Sequence, residues 1–244
     1  MKKFLPIIII VVAIAIFAFV FIKVRGQKST EGGLTDDTET AAEIPFDQRP
    51  FTSLTPKSDG HWLTLEIKNI KLTAATVDYE LIYKTKQGTT QGVPGTIKME
   101  GKDIKRDLLL GSESSGKFRY DEGVEEGSFS LRFRNDKGKL VGKLTTDFHM
   151  QSNTDTLSTL DKSFSFKLDK KPAKTFFLTM NTFGIDGKID FTPKSGPIGL
   201  FGSDATKYSG KIENGDGAFY LIENQKATKI ETGAKTNIGV FVSQ

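Results

Sequence analysis

Residues 127–149 read GSFSLRFRNDKGKLVGKLTTDFH, and this stretch decides the fold class of the chain. In its first third, Phe129, Leu131 and Phe133 alternate with polar residues, which is the period-two pattern of a half-buried strand. The NDKG segment at 135–138 supplies turn residues, and a second alternating segment follows it. The stretch therefore predicts an antiparallel β-hairpin.

Similar strand patterns occur on both sides of this hairpin. Leu63, Leu65 and Ile67 share one face of an early strand, and segment 174–183 is apolar on both faces, as expected for a central strand. Short strands separated by turn residues predict a β-sandwich or barrel. The further candidates are 76–84, 97–99, 104–110, 118–120, 164–168, 189–191, 198–201, 208–212, 218–222 and 238–242.

The first half, residues 53–152, resembles immunoglobulin-like and fibronectin-type-III-like sandwiches. The residues that carry the resemblance are Trp62 in an early strand, Tyr79 and Tyr83 in the next long strand, and the hairpin at 129–148. The cysteine pair of antibody domains is missing, since the chain has no cysteine. The resemblance implies a sandwich fold and no particular activity.

A second β-rich domain is predicted at residues 163–244, after a polar connection at 151–162. Its glycine content favours sharp corners and therefore a small sandwich or barrel. The sequence NGDG at 214–217 predicts a further hairpin between its neighbours. All-β domains reach 200–250 residues, so a single continuous body remains an alternative to two domains.

An apolar run of 19 residues begins at Phe4 and ends at Ile22, with basic residues on both flanks. At 1.5 Å per helical residue it would cover about 28 Å, close to the thickness of the hydrocarbon core of a bilayer. No small-residue cleavage pattern follows it, so residues 1–25 are expected to be an uncleaved transmembrane anchor. Residues 26–52 are polar and are expected to form a flexible stalk.

The basic charge of the chain is concentrated beside this run. Residues 1–28 contain five of the 34 Lys and Arg residues and none of the 30 acidic ones, which leaves residues 29–244 with a net charge of −1. A basic stripe for nucleic acid is therefore not expected. The absence of cysteine excludes thiol catalysis and cysteine-type zinc sites.

Asp147 and His149 lie two residues apart on a predicted strand, so their side chains share a face. A carboxylate beside an imidazole can orient a general base. However, the chain has no Gly-x-Ser-x-Gly motif, and outward strand positions are polar by default. We expect a solvent-facing pair here, and the same holds for His61 beside Trp62.

An acidic loop at residues 121–126 contains Asp121, Glu122, Glu125 and Glu126. Oxygen-rich loops can bind Ca²⁺, but the spacing does not match an EF-hand. We expect a solvated turn, and the sequence leaves calcium binding open. A turn is likewise expected at 214–217, and a metal-binding loop there is a distant second alternative.

Some aromatic residues could line a sugar-binding face, although at strand spacing aromatic residues are more often part of a core. The candidates are Trp62, Tyr79, Tyr83, Phe176 and Phe177.

Together these patterns predict an all-β ectodomain, an immunoglobulin-like sandwich followed by a second small sandwich or barrel, behind one N-terminal transmembrane helix. The expected role is binding or scaffolding at the cell envelope on the extracytoplasmic side. The expected partners are the bilayer, through residues 4–22, and a cell-wall polymer or an envelope protein. No catalytic, cofactor or metal residue is assigned. The alternatives are an anchored envelope hydrolase that uses carboxylates and an accessory subunit of a membrane complex.

Overall fold

Antiparallel β-structure dominates the part of the chain that the structure, a computed structural model, describes, namely residues 41–244. The predicted anchor at residues 4–22 and most of the predicted stalk lie outside these described residues. Within residues 41–244, no helix has the length and apolar character needed to cross a membrane.

A short 3₁₀ turn at Phe46–Gln48 precedes the strands. The strands of the described residues are β1 (Phe51–Pro56), β2 (Trp62–Lys68), β3 (Thr76–Lys84), β4 (Thr90–Lys98), β5 (Ile104–Leu109), β6 (Gly111–Ser114), β7 (Lys117–Tyr120), β8 (Glu126–Arg134), β9 (Leu140–Ser152), β10 (Thr156–Ser158), β11 (Ser165–Leu168), β12 (Phe176–Asn181), β13 (Ile198–Gly202), β14 (Ser209–Asn214), β15 (Phe219–Glu223), β16 (Lys226–Lys229), β17 (Thr236–Asn237) and β18 (Val240–Ser243).

The largest sheet has nine strands in the order β16-β15-β18-β13-β12-β9-β8-β3-β4. Strands β8 and β9 form the hairpin predicted at 127–149, which is confirmed. Asn135 shapes its turn, because the side-chain oxygen accepts hydrogen bonds from the backbone N–H groups of Lys137 and Lys139. Gly138 completes the turn with a φ of 75°, which glycine adopts without strain.

A three-stranded sheet, β1-β2-β5, covers one face of the N-terminal half. Leu63, Leu65 and Ile67 of β2 are fully buried and belong to the same core as Phe129 and Leu131 of β8. Two sheets that face each other across one apolar core are the arrangement of a β-sandwich.

A four-stranded sheet, β10-β11-β14-β17, covers the opposite face in the C-terminal half. Strand β12 shows this directly, because Leu178 and Met180 belong to the first core while Phe177 belongs to a second core with Phe164 and Phe241. Successive side chains of a strand point to opposite faces. The prediction that segment 174–183 contains a central strand, apolar on both faces, is confirmed.

Strands β9 and β12 connect the two halves through five antiparallel residue pairs, from Phe176 opposite Ser152 to Met180 opposite Phe148. The described residues belong to one compact unit. The two apolar cores separate near the predicted connection at residues 151–162. The backbone pairing of β9 with β12, in contrast, joins segments from both sides of this connection. This arrangement favours the alternative of one continuous body.

The hairpin predicted around residues 214–217 is wrong. Strand β14 pairs with β11 and β17, and strand β15 pairs with β16 and β18, so the two strands lie in different sheets. Gly217, with a φ of 98°, turns the chain from one sheet to the other. Residues 189–191 do not form a strand either, and Ile189 and Phe191 instead cover a third cluster around Val242.

The folded body begins earlier than the predicted end of the stalk at residue 52. Ile44 is only 3% exposed, and its side chain packs so closely on Gly142 that a side chain at 142 would collide with it. Phe51 pairs with Lys68 as the first residue of β1. Apolar burial at Ile44 and Phe51 therefore draws these residues into the body.

Candidate functional site

Exposed apolar side chains are rare in the described residues. The large ones are Phe118 at 45%, Tyr120 at 42% and Leu160 at 38%. Two of these three stand two residues apart on β7. Because contiguous exposed apolar patches commonly mark interaction sites, this pair is the starting point for a candidate site.

Strands β6 and β7 form a separate two-stranded sheet outside the other sheets. Ser115 and Gly116 make the tight turn between them, with φ values of 51° and 75°. Phe118 and Tyr120 point to the same side of this hairpin because side chains alternate along a strand. The hairpin thus presents two aromatic rings to solvent on one face.

His61 and Trp62 extend this face. The His61 ring stacks on Tyr120 with a centroid distance of 4.4 Å, and Trp62 meets Phe118 edge to face at 5.7 Å. Phe118 and Tyr120 lie nearly parallel, 6.2 Å apart. We call these four residues, His61, Trp62, Phe118 and Tyr120, the aromatic surface.

The base of the hairpin is fixed to the core. The Leu110 N–H donates to the His61 carbonyl oxygen at 2.9 Å, and the Asp121 N–H donates to the Leu110 carbonyl oxygen at 2.9 Å. The hydroxyl of Tyr83, a residue only 1% exposed, donates to Asp121 Oδ2 at 2.8 Å. Burial and the neighbouring Asp121 carboxylate raise the pKa of Tyr83, so it stays a donor.

Gly111 lies at the junction of β5 and β6, where the backbone of the facing strand comes too close for any side chain. A Cβ atom at this position would collide with the carbonyl oxygen of Arg119 on the facing strand. Glycine therefore permits the chain to leave the three-stranded sheet and pair immediately as a hairpin.

A fixed positive charge lies beside the rings. The Lys57 Nζ atom is 2.5 Å from Asp107 Oδ2 and 5.6 Å from the centroid of the Trp62 ring. The hydrogen bond from Lys57, followed by that from Thr64, lowers the pKa of Asp107 and keeps it ionised. Asp107 thus holds an ammonium group over an indole ring, which is a cation–π arrangement.

The His61 ring carries an unsatisfied polar atom. Its Nδ1 is buried and has no hydrogen-bond partner among the described residues. Buried polar atoms without partners cost free energy and are uncommon, so each one calls for an explanation. Because Nδ1 is inaccessible in this conformation, it offers no partner to a ligand on the exposed face of the rings.

Asp147 and His149 both lie on β9, as the sequence predicts. The Nδ1 atom of His149 is 3.0 Å from the carbonyl oxygen of Ser158 on β10. The ring is therefore positioned by the neighbouring strand, and this contact uses one of the two nitrogens that a catalytic dyad would need.

Two of the four carboxylates of the acidic loop have separate partners. Asp121 accepts from Tyr83, and Glu126 pairs with Lys84 at 2.7 Å, which lowers the pKa of Glu126. Within residues 41–244, no three His, Cys, Asp or Glu side chains are grouped so as to hold a metal ion.

Of the five aromatic residues proposed for a sugar-binding face, only Trp62 belongs to the aromatic surface. Tyr83 and Phe177 are core residues, as expected. Tyr79 packs on the edge of the first core, and the Phe176 ring lies against Gly60. Sequence reasoning recognised 118–120 as a short strand but missed its exposure. The sequence signal that could have indicated this exposure is the presence of glycine on both sides of the aromatic pair.

A cleft of about 630 Å³ lies elsewhere, beside Phe46, Arg49 and Lys71. Two of its basic side chains are already engaged within the protein. Arg49 Nε donates to the Ile44 carbonyl oxygen, and Lys71 Nζ donates to the Asp47 carbonyl oxygen. We therefore rank the aromatic surface above this cleft.

Comparison of the chain with protein-family models, with curated proteins and with solved structures found no match. The geometry of the aromatic surface is therefore the basis for assigning a function.

Proposed function

We propose that this chain is a single-pass membrane-anchored protein whose extracytoplasmic β body binds a cell-envelope polysaccharide on the aromatic surface. The observation that carries the proposal is the exposure of Phe118 and Tyr120 on a hairpin whose base is hydrogen-bonded to the core. A rigid ring pair needs little ordering upon binding, which favours affinity.

The chemistry of the aromatic surface suits a saccharide. Pyranose rings have apolar C–H faces, which pack on aromatic rings, and hydroxyl groups at their edges. The Lys57 ammonium group and the Tyr120 hydroxyl offer polar partners around the rings. A row of side-by-side rings on an open face also fits a polymer that extends beyond the site.

The aromatic surface lies at the end of β2 that is remote from the start of β1. Phe51, the first residue of β1, lies opposite Lys68 at one end of β2, while Trp62 lies at the other end. Six steps of about 3.3 Å separate Trp62 from Lys68, or about 20 Å. The aromatic surface is therefore well separated from the first residue of β1 within the body.

The immunoglobulin-like or fibronectin-type-III-like character of residues 53–152 is part of the same proposal. It is supported by the facing sheets of the N-terminal half, in which Leu65 of β2 and Leu131 of β8 share one core. Such a sandwich supplies a scaffold, and the function is assigned to the site that the scaffold carries.

The test is co-sedimentation of the full-length protein, in detergent micelles, with insoluble cell-envelope polysaccharide. The double variant Phe118→Ala/Tyr120→Ala is expected to bind at least about tenfold more weakly, because each ring contributes about 1 kcal/mol and 1.4 kcal/mol is a factor of ten. Leu160→Ala is the matched control, because Leu160 is also exposed but lies outside the aromatic surface.

Equal sedimentation of the wild type and the double variant would contradict the proposal. If the wild type captures an envelope protein and no polysaccharide, and the double variant does not capture that protein, the partner class is wrong although the surface is right. Location is tested separately by protease treatment of intact cells carrying a tag after Gln244, where loss of the tag is expected. Protection of the tag would contradict an exposed, extracytoplasmic body.

A further inference from the structure

Strand β4 lies at one end of the nine-stranded sheet, so one of its two sides has no paired strand among the described residues. The strand runs from Thr90 to Lys98 and pairs along its whole length with β3. We call the unpaired side the β4 edge. An unpaired edge exposes backbone N–H and C=O groups, so a strand from another chain could add to the sheet there.

The hydrogen-bond register decides which residues of β4 present their backbone to this edge. The Thr85 N–H donates to the Thr89 carbonyl oxygen, and the Met99 N–H donates to the Ala75 carbonyl oxygen, both at 2.9 Å. These two pairs continue the register of β3 with β4 at either end. Because hydrogen-bonded and non-hydrogen-bonded pairs alternate in an antiparallel ladder, the odd-numbered residues of β4 bond to β3. The even-numbered residues direct their backbone groups outward, and all five are exposed, namely Thr90, Gly92, Pro94, Thr96 and Lys98.

Two other sheet edges are protected by charge. Strand β16, at the opposite end of the large sheet, begins at Lys226 and ends at Lys229, and β5 carries Lys105 and Arg106. Charged side chains and short strands discourage edge-to-edge pairing. In β4 only the last residue, Lys98, is charged, so charge protects this edge much less.

Pro94 removes one outward N–H from the β4 edge, because proline has no backbone N–H. Identical chains commonly pair about a two-fold axis, with the same surface contributed by both copies. In the antiparallel register that uses the whole of β4, Thr90 would lie opposite Lys98 of the second copy, and Pro94 would lie opposite its own equivalent on the axis. Both hydrogen bonds of this central pair would be lost, and the proline rings would occupy the space where the N–H groups should bond.

We infer that the β4 edge is a pairing surface for a second copy of this chain, and that Pro94 keeps it closed. Proline is tolerated at any even-numbered position of β4, because none of these N–H groups bonds to β3. Its place at the midpoint is different, since there a single residue interrupts the two-fold register at its centre. The inference is independent of polysaccharide binding at the aromatic surface.

The test compares the wild type with Pro94→Thr, which restores the N–H with a residue typical of strands. Sedimentation equilibrium of the full-length protein in density-matched detergent, with micelles in excess over protein, measures self-association. Pro94→Thr is expected to self-associate at least about tenfold more tightly than the wild type, because two hydrogen bonds are restored on the axis. Thr90→Val is the matched control, because it makes the same edge more apolar without adding an N–H, and it should behave as the wild type does.

Backbone hydrogen exchange locates the contact. In the wild type, the outward amides of Gly92 and Thr96 are expected to exchange quickly, and the amides of Val93 and Ile97, which bond to β3, are expected to exchange slowly. In Pro94→Thr, Gly92 and Thr96 should become protected as the protein concentration rises. Continued protection of Val93 and Ile97 would show that β4 stays folded. Pro94→Ala also restores the N–H and should give the same changes if Pro94→Thr disturbs the strand.

A wild type that already self-associates, with protected amides at Gly92 and Thr96, would overturn the blocking role of Pro94. The inference is also overturned if Pro94→Thr and Pro94→Ala associate no more tightly than the wild type. Association of these variants without protection of Gly92 and Thr96 would place the contact elsewhere and contradict it as well. Equal association of Thr90→Val and Pro94→Thr would show that apolar character, and not the restored N–H, causes the pairing.

Discussion

The hydroxyl of Tyr83, buried under the base of the β6–β7 hairpin, donates a 2.8 Å hydrogen bond to Oδ2 of Asp121. Tyr83 lies on β3 in the large sheet, and Asp121 is the residue directly after β7. This bond therefore links the exposed aromatic hairpin to the core of the body. The orientation of the aromatic surface depends on contacts of this kind more than on the exposed rings themselves.

Replacing Tyr83 with Phe should lower the free energy of unfolding by about 1.5–3 kcal/mol, the usual contribution of a hydrogen bond to a charged group. Denaturant unfolding measures the change. Tyr120→Phe is the control, since Tyr120 is 42% exposed and its change should stay within about 0.5 kcal/mol. Equal stability of Tyr83→Phe and the wild type would show that the bond does not fasten the hairpin.

Gly111→Ala should detach the β6–β7 hairpin, because the added methyl group would collide with the Arg119 carbonyl oxygen. The backbone amides of β6 and β7 are expected to exchange with deuterium faster, while those of β8 and β9 stay protected. Gly92→Ala is the control, since its nearest contact would be the Leu81 carbonyl oxygen at 3.9 Å. Unchanged exchange in the Gly111 variant would contradict the close approach.

Glu66 should contribute stability that depends on pH. Lys105 first, and Lys68 as well, hydrogen-bond to this carboxylate and lower its pKa from the ordinary value of 4.5. A lowered folded-state pKa means that the contribution is present above pH 4.5 and is lost as the pH falls through the lowered value.

Glu66→Gln should therefore reduce the free energy of unfolding at pH 7 by up to about 1 kcal/mol, the usual range for such ion pairs. The difference from the wild type should disappear near pH 2. Urea titrations at both pH values measure it, with Glu113→Gln, at an exposed carboxylate on β6, as the control. A difference that persists at pH 2 would mean that packing, and not charge, explains the effect.

Local pattern was sufficient for much of this fold. Alternation at 127–149 predicted the β8–β9 hairpin, and apolar residues on both faces predicted β12 as a central strand, because each feature depends on near neighbours in sequence. The hairpin prediction at 214–217 was wrong because a turn motif does not specify which sheet contains the strand that follows. Phe219 packs on Phe164 across two sheets, and such a contact between distant residues has no local signal.

The aromatic surface was not predicted from the sequence, for a related reason. The sequence shows that Phe118 and Tyr120 share a face of a short strand, but whether another layer covers that face is decided by long-range packing. Trp62 was a sugar-binding candidate because of its residue type. Only the structure shows that β7 brings Phe118 into contact with it.

The pairing of β9 with β12 predicts that the two halves of the body unfold together. Phe177 and Leu178 are neighbours in β12, both are almost completely buried, and they belong to different cores. Phe177→Ala should cost about 3–5 kcal/mol and Leu178→Ala about 2–5 kcal/mol. Trp62, the single tryptophan, lies in the first half, so its fluorescence reports on that half alone.

If the body is one cooperative unit, Phe177→Ala in the second core should shift the Trp62 fluorescence transition as much as it shifts the far-ultraviolet circular dichroism transition. Leu178→Ala should do the same from the first core, which makes it the matched comparison. Suppose instead that Phe177→Ala lowers the dichroism midpoint and leaves the Trp62 transition in place. The halves would then unfold separately, and the five residue pairs between β9 and β12 would join two domains without coupling them.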